Sequence, residues 1–583
     1  MPKYHEGGYQ AAGRARASSR SSSPAKGLVA VFNYTAYSHG RAVALLIVVS
    51  LIAFLPGFFQ IPPIDRDEAY FAQATKQMLE TGDYVDIRYR DDVRYRKPVG
   101  IYWLQAAVVK TAETIGVAGA RTKIWLYRVP SLLGALGAVL ATYWCALAFV
   151  GRRGAVLAAL MMAVSALLGV EARLAKTDAV LLLTVVAAMA VLARAYLAPR
   201  QAGAAALDWK LAAIFWTALA AGILVKGPLI LMFVGLAAAT LCVLDRSAMW
   251  LRPLRPIYGI GWLLLLVLPW FVAIYWRVGG AFLIDAVDKD MLAKITGAQE
   301  THGAPPGLYL ILFFVTFFPG APLAGLAAPA VWAVRREAAA RFLLAWLVPS
   351  WIVFELVATK LPHYVLPLYP AIAILIAGAL ETNVLSRHRW LMRGMVWWFV
   401  VPVVASIIGV VGVIVISREP GLLAWPFFTA AIVCGLFAWW LFEDDGAERS
   451  FGRAGAATIL MAIGLYGVIV PALEPAFPSV ALAEVLRDAP CQHPVAASVG
   501  YEEPSLVFLA GTATVFTDPS GAADFLGQGA CRFAFVEQRQ ERAFALRAEA
   551  IGLRYDREAD IEGYNISSGR PISMAVFASA AAR

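Results

Sequence analysis

The chain has 583 residues, of which 60% are hydrophobic and only 15% are charged, and its net charge is +10. A soluble domain averages about 25% charged residues, so this chain lacks the polar residues that would cover a soluble protein of its length. The positive charge does not indicate nucleic-acid binding, because the basic residues lie mostly in short links between apolar runs, where they orient membrane helices.

The first 40 residues are predicted to form a disordered cytosolic tail. Residues 1–26 are rich in Ser, Gly, Ala and Arg and contain no apolar core. A signal peptide would place an apolar stretch much earlier. The first apolar run, Ala42–Phe59, is therefore predicted to be a helix that stays in the protein.

Residues 41–473 are predicted to form a mostly α, polytopic transmembrane helical bundle. About thirteen apolar runs approach or reach the ~20 residues that cross a bilayer core. They are Ala42–Phe59, Val129–Val150, Gly154–Val170, Ala179–Leu197, Leu211–Val225, Pro228–Leu244, Ile257–Trp276, Leu308–Val334, Phe342–Ala358, Val365–Leu380, Met395–Ile416, Leu422–Phe442 and Ala454–Leu473.

The first outside loop, residues 60–128, is predicted to contain interfacial helices. Its segment Gly100–Val117 is apolar but includes Lys110 and Glu113, a mixture that favours an amphipathic helix in the membrane interface over a span. With this segment interfacial and the N-terminus in the cytosol, every inside loop is basic, as the positive-inside rule requires. Counting the segment as a span would invert every later loop.

Residues 474–583 are predicted to form a small soluble α/β domain on the outside, because thirteen crossings place the C-terminus there. The runs PVAASVG, SLVFLAG, CRFAFVE and PISMAVF are strand-like, and a helix is expected around Gln538–Ile551. Its two cysteines, Cys491 and Cys531, would lie in an oxidising compartment, where they could pair. The sequence leaves open whether they do.

Acidic and basic residues recur in all five predicted outside loops. Ionisable residues near the hydrocarbon boundary are costly and usually mark a function. Asp67 and Glu68 form a carboxylate pair that could orient or deprotonate an acceptor hydroxyl, with Asp67 catalytic and Glu68 supporting it. The alternative is that these acids only favour a helix N-terminus.

Several cations on the same face could compensate the charge of a phosphate at the bilayer surface. For each of them alone, the alternative is a side chain that reaches lipid headgroups. The predicted carrier-phosphate ligands are Lys97, Arg96, Lys226 and Lys360.

An ordered series of motifs resembles the PMT-like glycosyltransferases of the GT-C superfamily, which include protein O-mannosyltransferases and lipid A aminoarabinose transferases. The series comprises the acidic pair after the first span, the Lys-Pro of RYRKPVG, RLAKTD, VKGP, the segment His302–Tyr309 and KLPHYVLPLYP. It covers about Ala42 to Leu375. The resemblance implies an inverting membrane enzyme that moves a sugar from a polyprenyl-phosphate donor to a lipid A or lipopolysaccharide, glycan or protein acceptor.

The resemblance also implies roles for particular residues. Asp67 is the acid of the first loop, Asp178 is the acid that opens the fourth span, and Lys97 contacts the carrier phosphate. Together with Glu68, the two aspartates are the predicted catalytic residues. Substrate binding is predicted for Tyr70, Tyr102, His302, His363 and Tyr364.

One departure from the family pattern concerns metal binding. Aminoarabinose transferases typically have Glu before the Lys-Pro, where a metal can bind, but this chain has Arg96. A guanidinium cannot ligate a cation, so no equivalent metal site and no required cofactor are expected.

Two other classes fit part of the pattern. A lipid-carrier transporter or flippase also needs many spans and cationic headgroup sites. Its substrate site, however, generally lies near the midplane between internal repeats, and no repeat is evident here. A scaffold that binds a partner through its terminal domain would leave the charged outside loops unexplained.

Overall fold

The computed structural model describes residue 34 and residues 36–198, 208–280 and 304–579. Each of the thirteen predicted runs contains a helix, and most of the predicted tail lies outside the described residues. The helices of the apolar part are His39–Phe54, Ile124–Ala146, Arg152–Ala163, Ala166–Ala172, Asp178–Leu197, Trp209–Lys226, Leu229–Asp245, Pro256–Val278, Leu308–Thr316, Ala321–Ala333, Ala338–Leu356, Tyr369–Glu381, Trp397–Ser417, Trp425–Trp440 and Ala447–Ala462.

The multi-pass membrane architecture is confirmed. Within the described ranges, nine helices are long and apolar enough to cross a membrane, or eleven if each of two bent helix pairs is one span. His39–Phe54 and Leu229–Asp245 are apolar but shorter. The exact number of thirteen therefore stays a prediction.

Small residues let the spans approach one another closely. A Cβ on Gly134 would lie 2.8 Å from the backbone nitrogen of Val180, so the helices Ile124–Ala146 and Asp178–Leu197 pack backbone to backbone there. Such contacts are typical of membrane bundles, where the surrounding lipid is as apolar as the helix surfaces. Arg128 and Asp178 lie near the starts of these two helices.

The first outside loop folds into two helices, Asp67–Thr81 and Gly100–Thr114, joined by a small hairpin of β1 (Arg88–Tyr89) and β2 (Asp92–Val93). The second helix is too short to cross a ~30 Å hydrocarbon core. Its Lys110 side chain is exposed and lies 3.8 Å from Glu113. The interfacial position of this helix stays a prediction.

The C-terminal residues form a small sheet with helices packed on it. The five-stranded sheet has the order β4-β3-β5-β7-β6, with β3 parallel to β4 and β5 and the β5–β7 and β7–β6 pairs antiparallel. The strands are β3 (Val495–Val499), β4 (Val515–Phe516), β5 (Arg532–Glu537), β6 (Tyr555–Asn565) and β7 (Arg570–Ser579). The helices are Pro478–Arg487, Pro504–Ala510, Pro519–Gly527 and Glu541–Ala550. The exact boundary at residue 474 stays a prediction.

One of the four predicted strands is wrong. The run SLVFLAG forms the helix Pro504–Ala510. Pro504 provides a backbone angle suited to a first helical turn. Leu506 packs with the sheet residues, whereas Phe508 packs with residues of the first outside loop. The run is therefore continuously apolar because it is a helix buried between two surfaces.

The two cysteines of this domain are paired. Cys491 and Cys531 form a disulfide with their Cα atoms 5.7 Å apart. The bond joins the segment before β3 to the start of β5. The question that the sequence left open is thus answered by the fold.

Candidate active site

Asp67 and Glu68 begin the first helix of the outside loop and have opposite environments. Asp67 is the first helical residue and is exposed, whereas Glu68 is 2% exposed. Adjacent helical residues point about 100° apart, so the two carboxylates cannot share one site. Within the described part of the chain, the Asp67 carboxylate has no hydrogen bond, which leaves it available to an acceptor.

Glu68 forms a buried, bidentate ion pair with Arg128. Arg128 Nε and Nη2 each donate to one Glu68 oxygen at 2.8 Å. The same guanidinium donates to the carbonyls of Phe58 and Ile61, and Glu68 also accepts the backbone N–H of Ala175. Glu68 therefore joins the loop to two spans, which agrees with a supporting role and keeps it away from a substrate.

A second cluster of charges lies at the ends of the spans that adjoin the loop of residues 60–128. Glu171, Asp178 and His363 each offer a ligand atom within 4.8 Å of the others. Lys176 Nζ lies 3.4 Å from Glu171 and 3.8 Å from Asp178. Lys226 Nζ donates to Asp178. Asp178, Lys226 and His363 were predicted site residues, and the fold brings these three together.

The cluster is balanced in charge, because two carboxylates face two ammonium groups. Burial acts to lower the pKa of Lys176, but the Glu171 and Asp178 carboxylates outweigh it and hold that pKa above its usual value. The donor set Glu171, Asp178 and His363 has the atoms that a metal ion uses. A divalent cation there would have to displace the nearby lysines, which already offset the negative charge.

Two predicted carrier-phosphate cations lie on segments that touch. A Cβ on Gly100 would lie 2.7 Å from the carbonyl oxygen of Leu224, so the start of the interfacial helix packs directly on the end of the helix Trp209–Lys226. Lys97 precedes Gly100 by three residues, and Lys226 follows Leu224 by two. The Lys97 side chain is half-buried.

Lys360 has a different environment. Its Nζ donates to the carbonyls of Phe354, Glu355 and Val357 at 3.2, 2.9 and 2.7 Å. These carbonyls end the helix Ala338–Leu356, and the Lys360 side chain is buried. All three ammonium protons have acceptors, so this lysine stabilises a helix end in the structure, and phosphate binding by it stays a prediction.

The predicted substrate-binding residues are not all grouped. His363 and Tyr364 lie at the charged cluster, with Lys226 Nζ 5.8 Å from the Tyr364 ring centre. Tyr70 lies under the Arg94 guanidinium, 4.3 Å away. Tyr102 is fully buried and its ring centre is 5.5 Å from that of Phe71. His302 falls outside the described residues.

Three residues that contact predicted site residues were not themselves predicted to belong to the site: Arg128, Glu171 and Lys176. Glu171 and Lys176 stand in the same short loop as Asp178, and their closeness to it in sequence was an available signal. Arg128 is a charge near the start of an apolar helix, which usually indicates a partner. Nothing in the sequence identified that partner as Glu68.

The chain is similar in sequence to known proteins. A family model described as dolichyl-phosphate-mannose-protein mannosyltransferase matches residues 44–283. A relative from Edwardsiella ictaluri (strain 93-146), named undecaprenyl phosphate-alpha-4-amino-4-deoxy-L-arabinose arabinosyl transferase, is 25% identical over 462 residues, covering 74% of this chain and 76% of the relative. A relative of the same name from Pseudomonas aeruginosa (strain LESB58) is 28% identical over 362 residues, covering 59% of this chain and 61% of the relative.

Solved structures show the same fold. The crystal structure of ArnT from Cupriavidus metallidurans bound to undecaprenyl phosphate has a TM-score of 0.71 at 18% identity, covering 92% of this chain and 98% of that chain. The apo state has a TM-score of 0.70 at 19% identity, covering 95% and 98%. The match includes both the membrane bundle and the C-terminal sheet.

Proposed function

This chain is a PMT-like glycosyltransferase of the GT-C superfamily, and on that premise we propose that it moves a sugar from undecaprenyl phosphate to an envelope acceptor. The carrier follows from the names of the sequence relatives. Lipid A or lipopolysaccharide is the first acceptor to test, and a glycan or a protein is the alternative. The reaction is an inverting displacement at the periplasmic face of the bacterial inner membrane.

The observation that supports this function best is the exposed Asp67 carboxylate beside the buried charged cluster. The Asp67 charge helps to raise the pKa of Lys176, whose Nζ lies 3.8 Å from Asp178. Asp178 also accepts a hydrogen bond from Lys226. A free carboxylate beside fixed cations is what a reaction needs when an acceptor attacks and a phosphate leaves.

In the proposed step the acceptor oxygen attacks the anomeric carbon while the bond from that carbon to the phosphate oxygen breaks. The electron pair leaves with undecaprenyl phosphate, whose growing charge Lys97 and Lys226 offset. A hydroxyl acceptor gives its proton to Asp67. An anionic phosphate acceptor has no proton to give, and Asp67 then only orients it.

The test uses the purified full-length protein with an undecaprenyl-phosphate-linked sugar and lipid A. We expect free undecaprenyl phosphate and a glycosylated acceptor, both measured by mass spectrometry. Movement of the intact donor across vesicles without release of carrier phosphate would instead identify a flippase. Mass spectrometry of envelope lipids and glycans with and without the gene would then identify the natural sugar and acceptor.

We further propose that no divalent metal is required, because Arg96 supplies a charge where related enzymes have Glu. Arg96 is exposed and Lys97 is half-buried. Lys97→Ala should weaken donor binding by an amount on the order of 2–5 kcal/mol, and Arg96→Ala by less. The matched control is Lys110→Ala, an exposed lysine of the same loop.

The metal proposal has its own measurement. Activity should be unchanged after EDTA treatment. Loss of activity with EDTA and recovery with a divalent ion would contradict it, and Glu171, Asp178 and His363 would be the first ligands to substitute.

A further inference from the structure

The helix Pro504–Ala510 of the C-terminal domain is joined at both ends to the segment that carries Asp67. At its start, the Ser505 backbone N–H donates to Asp65 Oδ1 at 2.9 Å. At its end, Lys76 Nζ donates to the Phe508 carbonyl at 2.8 Å. An acidic side chain therefore accepts from the N-terminal end of this helix and an ammonium donates to its C-terminal end, so backbone groups at both ends have partners.

Further contacts lie in the last turn of this helix and just beyond it. Gln73 Nε2 donates to Thr512 Oγ1 at 2.8 Å, and that hydroxyl donates to Glu80 Oε2 at 2.6 Å. The Phe508 side chain is fully buried, and its ring centre lies 5.2 Å from that of Tyr127. Buried apolar contacts and these hydrogen bonds together hold the C-terminal domain against the loop helix.

The turn just before Asp67 is held by the same domain. Arg66 has φ 69° and ψ −111°, a conformation that glycine adopts far more easily than other residues. Its Nη2 donates to the Ser567 carbonyl at 3.1 Å. Ser567 Oγ in turn donates to Glu503, next to the helix that Asp65 contacts. The two residues preceding Asp67 are thus each bonded to the C-terminal domain.

We propose that the C-terminal domain positions the catalytic carboxylate, with Asp65 and Arg66 as positioning residues that hold the turn from which Asp67 projects. This inference rests on the proposed function, which gives Asp67 its role. The C-terminal domain thereby contributes to sugar transfer by fixing the position of Asp67. A displacement of about 1 Å at a reacting group lowers a rate by as much as ~100-fold. Fixing the turn formed by Asp65 and Arg66 should therefore increase kcat.

The first test compares two variants of Asp65. Asp65→Asn keeps an acceptor oxygen for Ser505 N–H, whereas Asp65→Leu is of similar size and has none. We expect the Leu variant to lose about tenfold or more in kcat while its donor KM changes by less than about twofold, and the Asn variant to retain most of its kcat. Equal losses in both variants would mean that the Asp65 charge itself is needed, and an unchanged Leu variant would overturn the inference.

The second test uses Arg66, which is exposed and therefore replaceable without a cavity. Arg66→Gly and Arg66→Ala both lose the contact to Ser567, but only glycine fits the backbone conformation readily. We expect kcat of the Ala variant to be lower than that of the Gly variant. The matched control is Arg547→Ala, which removes an exposed pair with Asp524 in the same domain and should leave kcat unchanged. Equal kcat in both Arg66 variants and the parent would overturn the positioning role.

These outcomes separate the inference from the proposed function. If the parent protein releases no undecaprenyl phosphate from its donor, the proposed function fails. If the parent is active and Asp67→Asn is inactive while the Asp65 and Arg66 variants behave as the parent, only the positioning role fails.

Discussion

Single residues next to one another in the sequence have sharply different roles in this protein. Asp65 bonds to the C-terminal domain, Asp67 is exposed, and Glu68 is buried against Arg128. Of the four consecutive polar residues 65–68, three make structural contacts and Asp67 alone is proposed to act on a substrate. Their burial, which the sequence does not reveal, decides which carboxylate can meet a substrate.

The first prediction at this scale concerns Asp67. Asp67→Asn keeps the shape and removes the charge, so it should lower kcat by about 100-fold or more while the amount of protein in the membrane is unchanged. Donor turnover measured on purified protein checks this, with Asp91→Asn, an exposed acid of the same loop, as the control. Near-normal turnover would mean that Asp67 only favours the helix start, and Asp178 would be tested next.

The second prediction concerns the pH dependence of stability. Burial raises the pKa of Asp65 from 3.8 to about 7, the bond from Ser505 opposes that rise, and the Glu503 and Glu68 carboxylates add to it. Tyr501 and Tyr89 also face it. The folded state then keeps a proton that the unfolded chain releases near pH 4, so this contribution is complete below about pH 4 and is lost as pH rises toward about 7.

Asp65→Asn has no such titration. The unfolding temperature of the parent relative to the Asn variant should therefore fall between about pH 4 and pH 7. Thermal unfolding in detergent at several pH values measures it. A difference that stays constant over this range would show that the Asp65 pKa is not raised.

At the scale of elements, the buried Glu68–Arg128 pair attaches the first outside loop to the helix Ile124–Ala146. Both side chains are almost completely inaccessible. Removing one partner of such a pair leaves a buried charge without compensation, which typically costs about 3–5 kcal/mol. The pair thus fixes the first outside loop to the membrane bundle.

The third prediction follows from that ion pair. Arg128→Met should lower the unfolding temperature strongly, and adding Glu68→Gln should recover part of the loss because the unpaired charge is removed. The control is Lys110→Met, which removes only the ion pair between the exposed Lys110 and the half-buried Glu113. If the single and double variants unfold at the same temperature, the cost does not come from an unpaired charge.

At the scale of the whole molecule, the orientation in the membrane decides where the reaction occurs. The basic links predict that Arg152 and Arg449 face the cytosol, whereas Asp67, His302 and Cys491 face outward. The disulfide between Cys491 and Cys531 supports an outward C-terminal domain, because such bonds persist in oxidising compartments.

The fourth prediction tests this orientation. In a chain whose other free cysteines, Cys145, Cys242 and Cys434, are replaced by Ala, Lys110→Cys should react with a membrane-impermeant thiol reagent in spheroplasts and Arg152→Cys should not. After the membrane is opened, both should react. Labelling of the Arg152→Cys variant from outside would overturn the topology and move the proposed site to the cytosolic face.

The sequence by itself determined the multi-pass architecture and the family resemblance, whereas the interfacial position of Gly100–Val117 stays a prediction. These depend on local apolar length, on charge in short links and on motif order, all of which are properties of neighbouring residues. Three of the four strands predicted for the C-terminal domain, those that became β3, β5 and β7, followed from local patterns for the same reason. Only the tertiary structure showed that SLVFLAG is a helix, because its continuous apolar character arises from burial against two surfaces.

The tertiary structure also decided which charges meet. Asp65 and Ser505 are 440 positions apart, and Glu68 and Arg128 are 60 apart. Lys360 belongs to one of the motifs that resemble the family. Its hydrogen bonds to three backbone carbonyls depend on how the chain turns after the helix Ala338–Leu356, which the sequence does not show. A charge in a sequence specifies what it can bind, whereas burial and the geometry of distant segments determine what it does bind.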